Sequence, residues 1–206
     1  MNVPLRLTDR KREAIVQAAI AEFRENSFNV TSMDRIAARA QVSKRTVYNH
    51  FPGKEELFAE MLQRLWESFN DGIDNTYYPG KPLREQLGDL LAIKMHSMSD
   101  PLRMDLARIA IGATIHSPER AAEWVNRLNQ REEALTGWIR GAQQDGRFKP
   151  VDPSFAAHQI HALLKSFAFW PQVTLNKPVL DEEQQREVME SALNMFLGWY
   201  ELPRSH

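Results

Sequence analysis

Between Ile36 and Phe51 the chain reads Ile-Ala-Ala-Arg-Ala-Gln-Val-Ser-Lys-Arg-Thr-Val-Tyr-Asn-His-Phe, and this is where the side chains with most to offer a ligand are gathered. Taken as a helix from Ser43 to about His50 at about 100° per residue, the stretch has two opposed sides. Val47 and Phe51 stack one turn apart as core anchors. Arg45 and Asn49 are also one turn apart and point nearly opposite. Lys44 with Tyr48, and Thr46 with His50, occupy the flanks. Those types suit a nucleic acid. Arginine can fork onto the two major-groove acceptors of guanine, and asparagine can pair with adenine. Lys, Tyr, Thr and His can reach phosphate oxygens. Ser32 and Ser43 stand where a helix N-terminus would turn its free N–H groups and positive dipole end toward a phosphate, and Lys54 does the same for the helix after Pro52-Gly53.

Something must hold that helix. Residues Thr31 to Ala40 repeat Met33, Ile36, Ala37 and Ala40 at amphipathic spacing. Only Gln41 and Val42 separate them from Ser43, so two short helices meet at a tight turn, the arrangement of a helix-turn-helix. A first helix starts at Thr8 or Asp9, carries Ile15, Ala18, Ala19 and Phe23, and ends at the polar Glu25-Asn26-Ser27. A fourth, with Leu57, Phe58, Met61, Leu62, Leu65 and Phe69 along one stripe, links the head to the remainder over about 54–74. Its lack of an internal proline makes it the element expected to touch both regions and transmit changes between them.

Beyond it, helices are expected over Pro82–Met98 and Pro101–Ile115, from Ser117-Pro118-Glu119 to about Gln144, from Asp152-Pro153 to a stop at Pro171, and from Asp181 to the end. About nine helices and no period-two alternation give an all-α fold. The domains are read as a DNA-binding head over 1–54 and a larger helical body over 55–206.

Charge agrees with this division. The net charge is −1, yet residues 1–54 hold 10 Lys/Arg against 5 Asp/Glu, and the rest of the chain holds 16 against 22. A basic head on an acidic body is expected when one end meets a polyanion. There is no cysteine, which removes disulfides, thiolate metal sites and cysteine nucleophiles. No run of 18 apolar residues and no export signal are visible, so a cytoplasmic protein with no membrane partner is expected.

The body offers less definite chemistry. Met95, Met98, Trp138, His161 and Trp170 are candidates to line a cavity for a small, mostly apolar effector. His158 and His161, three apart, could share a metal, but no third ligand lies near, and no metal or other cofactor is assigned. No phosphate loop, nucleophile elbow or zinc-protease motif occurs, so no catalytic residue is assigned. The Phe155–Trp170 and Val188–Tyr200 segments carry more apolar residues than one face can bury, which predicts a homodimer closed by these two helices. The competing reading is a helical enzyme or small-molecule carrier whose basic head is incidental.

Residues 9–66 resemble the N-terminal domain of the tetracycline-repressor (TetR) family. The residues that carry the resemblance are Ala18-Ala19 and Phe23, Thr31 to Ala37, and the run Val42-Ser43-Lys44-Arg45-Thr46-Val47-Tyr48-Asn49-His50-Phe51-Pro52-Gly53-Lys54-Glu55-Glu56-Leu57. The resemblance implies a homodimeric all-α regulator, usually a repressor, whose C-terminal domain dimerises and binds a small molecule. It implies DNA contacts by Ser32, Lys44, Arg45, Thr46, Tyr48, His50 and Lys54. Two departures stand out. Arg45 occupies a position where the family often has Gly, Ala or Pro, and Glu25-Asn26-Ser27-Phe28 lacks the glycine common in that turn. The Phe155–Pro171 segment resembles the C-terminal domains of regulators related to AefR.

Overall fold

The computed structural model describes residues 7–70, 76–115, 117, 119, 122 and 134–203. Its elements are α1 (Leu7–Val30), α2 (Met33–Arg39), α3 (Lys44–His50), α4 (Lys54–Asn70), α5 (Leu83–Met98), α6 (Pro101–Thr114), α7 (Ala134–Gln144), α8 (Pro153–Ala168), α9 (Trp170–Leu175) and α10 (Glu182–Tyr200). Among the described residues the extended structure amounts to one antiparallel bridge, Phe148 with Glu201. No described helix is long and apolar enough to cross a membrane.

Each of the nine helices expected from the sequence has a described counterpart. That of the Ser117–Gln144 helix covers only Ala134–Gln144, most of the rest lying outside the described residues. The short α9 is an addition. The sequence reading ends the preceding helix at Pro171, but the break comes at Phe169, whose φ of −127° and ψ of −62° leave the helical region. Pro171 then stands in the first turn of α9, where its missing N–H has no carbonyl to lose. Proline opens a helix here instead of closing one.

Four of the expected caps are in place, whereas Thr8 and Asp9, expected to open the first helix, lie inside α1. Ser32 Oγ accepts from Arg35 N–H, Ser43 Oγ from Thr46 N–H and Asp152 from Ser154 N–H. Asp181 and Gln184 cap α10 reciprocally. Each cap satisfies one or two of the four N–H groups that a helix start leaves without a partner.

The chain divides into two compact units, Met1–Glu67 with Asp105–Leu128, and Ser68–Met104 with Asn129–His206. The division therefore falls inside α4 and inside α6. The expectation that α4 is the one element shared by both regions must be widened to include α6. Within the first unit, Asp105 on α6 accepts from Arg24 of α1 at 3.3 Å and from Arg108 at 2.6 Å.

The first unit is built on Ile15, Val16, Ala19, Phe23, Ile36, Val47, Leu57 and Met61, all nearly inaccessible. Phe23, Phe28 and Phe58 form a closed aromatic set with ring centroids 4.8–6.0 Å apart. The second unit has its own core, in which α5, α7, α8 and α10 enclose Leu87, Leu91, Trp138, Ile139, Ile160 and Phe196. Two buried polar side chains fix the approach to α5. Arg147 donates to the carbonyls of Pro79 and Lys81 at 3.2 and 2.7 Å. Gln86 exchanges hydrogen bonds with the Tyr78 backbone and accepts from Trp138 Nε1 at 3.3 Å.

Candidate nucleic-acid interface

The candidate site begins with the way α3 is locked. Val47 is fully buried and Phe51 is 4% exposed, so one edge of this seven-residue helix is sunk in the core. The Arg12 guanidinium lies 4.9 Å from the centroid of the Phe51 ring. On the other side Lys44, Arg45, Tyr48 and Asn49 are exposed, while Thr46 and His50 are half-buried. The opposition of faces expected from the sequence is therefore present.

The turn ahead of α3 is sharp. Gln41 takes a left-handed φ of 54°. Val42 N–H reaches Ala37 carbonyl at 3.1 Å and Gln41 N–H reaches Ala38 carbonyl at 3.2 Å. This paired closure is the Schellman motif, in which the left-handed position is usually glycine. At the end of α7 the same motif has Gly146 with φ 69°, with Arg147 N–H on Ala142 carbonyl and Gly146 N–H on Gln143 carbonyl.

Position and orientation of α2 come from a buried carboxylate that the sequence reading did not single out. Glu22 of α1 is 4% exposed. It accepts from Arg35 Nε at 2.8 Å and Arg39 Nε at 2.7 Å, both on α2. Arg39 also pairs with Glu25. The hydrogen bond from Arg35 holds the Glu22 carboxyl below its ordinary pKa despite burial, with the charges of both arginines adding to it. A second network ties α1 to α4, where Glu60 accepts from Arg12 Nη1 and Nη2 at 2.9 and 2.8 Å and from Arg64 Nε at 2.9 Å. Arg12, then Arg64, pull the Glu60 carboxyl down to about 2.

Lys54 is placed differently from expectation. Its ammonium donates to Phe28 carbonyl at 2.8 Å, Thr31 carbonyl at 3.0 Å and Asn29 carbonyl at 3.4 Å, and lies 4.5 Å from the centroid of the Phe28 ring. An ammonium has three N–H donors, and three carbonyls at the junction of α1 and α2 take them. Lys54 fastens that junction rather than facing outward for a phosphate. Lys44 remains exposed, 2.7 Å from Asp34 on α2.

In the second unit, Met95, Met98, Trp138 and His161 are buried, at 1%, 3%, 0% and 6% exposure, while Trp170 is 48% exposed. Trp170 is thus separated from the other four, because the break at Phe169 turns its side chain outward. A cleft of about 470 Å³ lies between Tyr77, Pro79 and the Gly137, Arg140 and Gly141 side of α7, and none of the five candidates lines it. His158 is exposed with Nδ1 2.7 Å from the Ser154 carbonyl oxygen, while His161 is buried. No cluster of three His, Cys, Asp or Glu occurs among the described residues.

Comparison with known proteins settles the ancestry of this arrangement. The family of bacterial regulatory proteins called tetR matches residues 15–61, and the C-terminal domain of AefR-like transcriptional repressors matches residues 85–202. The chain belongs to the TetR family of transcriptional regulators. A solved TetR family transcriptional regulator from Pseudomonas syringae pv. tomato is 64% identical, with a TM-score of 0.85 over 96% of this chain and 100% of its own. The flavonoid-responsive regulator FrrA is 28% identical, with a TM-score of 0.78 and coverage of 96% and 100%. The transcriptional regulator RutR of Escherichia coli K12 is 26% identical over 181 residues, 82% of this chain and 79% of its own. The resemblance of Phe155–Pro171 to AefR-related regulators thus extends over most of the TetR body.

Proposed function

We propose that this regulator is a homodimeric repressor that binds a palindromic double-stranded operator through α3 and releases it when a small, mostly apolar molecule binds the body. The observation that carries the DNA reading is the outward face of α3. Lys44, Arg45, Tyr48 and Asn49 are exposed along one side, and Val47 and Phe51 fix the helix from the other. Base-edge contacts are assigned to Arg45 and Asn49. Contacts to phosphate are assigned to Lys44, Thr46, Tyr48 and His50, with Ser32 and Ser43 marking the helix starts. Lys54 is assigned the junction it fastens.

The homodimer is supported by α8 and α10. Phe155 and Phe167 on α8, and Met195 and Trp199 on α10, are 54%, 57%, 60% and 65% exposed. Two such helices from each copy can bury these side chains in a four-helix bundle. Paired heads would then read half-sites about one helical turn apart, roughly 34–36 Å. Effector control is supported by FrrA, whose name makes it flavonoid-responsive, and by the apolar setting of Met95, Met98 and Trp138. Coupling of about 1–3 kcal/mol between the two ligands, roughly 5–150-fold in affinity, is typical of such switches.

Sequencing the genomic fragments retained by the purified protein tests the reading. Recovery of a shared inverted repeat is expected, and recovery of fragments without a common sequence would refute it. Sedimentation equilibrium at micromolar concentration is expected to give a dimer.

A further inference from the structure

The outward residues of α3 differ in what they already bind. Lys44 has the Asp34 carboxylate 2.7 Å away. The Thr46 hydroxyl lies 2.8 Å from Ser43 Oγ. Arg45 and Asn49 are both exposed, and among the described residues neither side chain takes part in an intramolecular hydrogen bond or ion pair. Their hydrogen-bonding groups therefore remain available to a ligand.

Their directions are fixed by the anchor. At about 100° per residue, Arg45 and Asn49 lie about 160° to either side of Val47, hence about 40° from each other and opposite the buried edge. Four residues at about 1.5 Å give a rise of about 6 Å. Base pairs along a duplex are about 3.4 Å apart. Two side chains about 6 Å apart on one helix face thus meet base pairs one or two steps apart. In the major groove the guanidinium fork matches the O6 and N7 acceptors of guanine, and the carboxamide matches N6 and N7 of adenine.

We propose that Arg45 and Asn49 are the specificity-determining pair, and that each operator half-site holds a G·C pair read by Arg45 and an A·T pair read by Asn49 within three consecutive base pairs. This rests on the DNA-binding reading above and adds the identity and spacing of the bases.

The test is selection from a pool of random-sequence duplexes by the full-length protein, run in parallel with Arg45→Ala, Asn49→Ala, Asn49→Gln and Lys44→Ala. The wild type is expected to enrich an inverted repeat whose halves contain both base pairs at that spacing. Arg45→Ala should lose the guanine preference alone, by about 5- to 150-fold in relative affinity, and Asn49→Ala the adenine preference alone. Asn49→Gln, whose longer carboxamide makes the same pair of hydrogen bonds, should retain adenine. Lys44→Ala should weaken all sequences alike, with a shallower dependence on salt. All three positions are on the surface, so an unchanged melting temperature is the control for folding. An enriched half-site without the two base pairs, or even weakening of every sequence by Arg45→Ala, would overturn this inference and leave DNA binding standing. Enrichment of nothing by the wild type would overturn both.

Discussion

Ser27 is held in a backbone conformation that few residues other than glycine adopt. Its φ of 62° and ψ of 165° interrupt α1 three residues before its end. For a residue with a Cβ, this region costs of order 1–3 kcal/mol. What Ser27 supplies in return is its carbonyl, which accepts Thr31 N–H at 3.3 Å and Thr31 Oγ1–H at 2.8 Å. The side chain is exposed. Glycine keeps the carbonyl and removes the strain, but its greater freedom in the unfolded chain returns about 0.4–1 kcal/mol. Ser27→Gly is therefore expected to stabilise the protein by about 1 kcal/mol, within a range of about 0–2.5. For a chain of this length that is a rise of about 2–4 °C in melting midpoint. Ser27→Ala, which leaves the Cβ in place, should change it little. Thermal unfolding of the three proteins followed by circular dichroism makes the comparison. A lower midpoint for Ser27→Gly than for wild type would show that the kink is not strained.

Other expectations follow from the same contacts. Gln41→Gly should also stabilise, by about 0.5–1 kcal/mol in urea unfolding, because the left-handed Gln41 does the work that Gly146 does at the end of α7. Glu22→Gln should destabilise by about 1–3 kcal/mol, since Arg35 and Arg39 lose their charged acceptor. Glu22 and Glu60 both titrate below the ordinary value of 4.5. Their contribution is complete above that value and is lost as pH falls below it, toward about 2 for Glu60, so acid titration of wild type should show steeper loss below pH 4.5 than titration of a Glu22→Gln, Glu60→Gln double variant. Lys54→Met should lower stability by about 1–3 kcal/mol while leaving the slope of DNA affinity against salt unchanged; a slope shallower by about one would return Lys54 to the phosphates. Trp199→Glu should give a monomer by sedimentation equilibrium.

The faces of α3 were legible in the sequence because residue type and helical angle coincide there. Valine and phenylalanine stand on one side, charged and amide residues on the other. Most helix limits were legible for a similar local reason, since Ser32, Ser43, Asp152 and Asp181 are side chains that accept from N–H groups two or three residues on. The contacts that position the head were not. Glu22 is a lone carboxylate between Ala21 and Phe23 with nothing nearby in sequence to mark its partners, and only the return of α2 buries it between two arginines 13 and 17 residues away. The role of Lys54 depends on the fold of a turn 23 to 26 residues earlier. Gln41 and Ser27 take positive φ without the glycine that would announce it, although the missing glycine near Ser27 was visible as a departure from the TetR pattern. In the body, Trp170 has the composition of core but sits just after a break that directs it outward.

On the proposed function, the operator is bound by the exposed face of α3. The most direct test of this is fluorescence anisotropy of a labelled operator fragment, recovered from the genomic selection, titrated with wild type and with an Arg45→Ala, Tyr48→Ala, Asn49→Ala triple variant. None of the three side chains lies in the core, so the variant should melt at the wild-type temperature. Two lost base contacts at about 1–3 kcal/mol each predict a loss of operator affinity of at least about 30-fold. Equal affinity of the folded variant and the wild type would contradict the account.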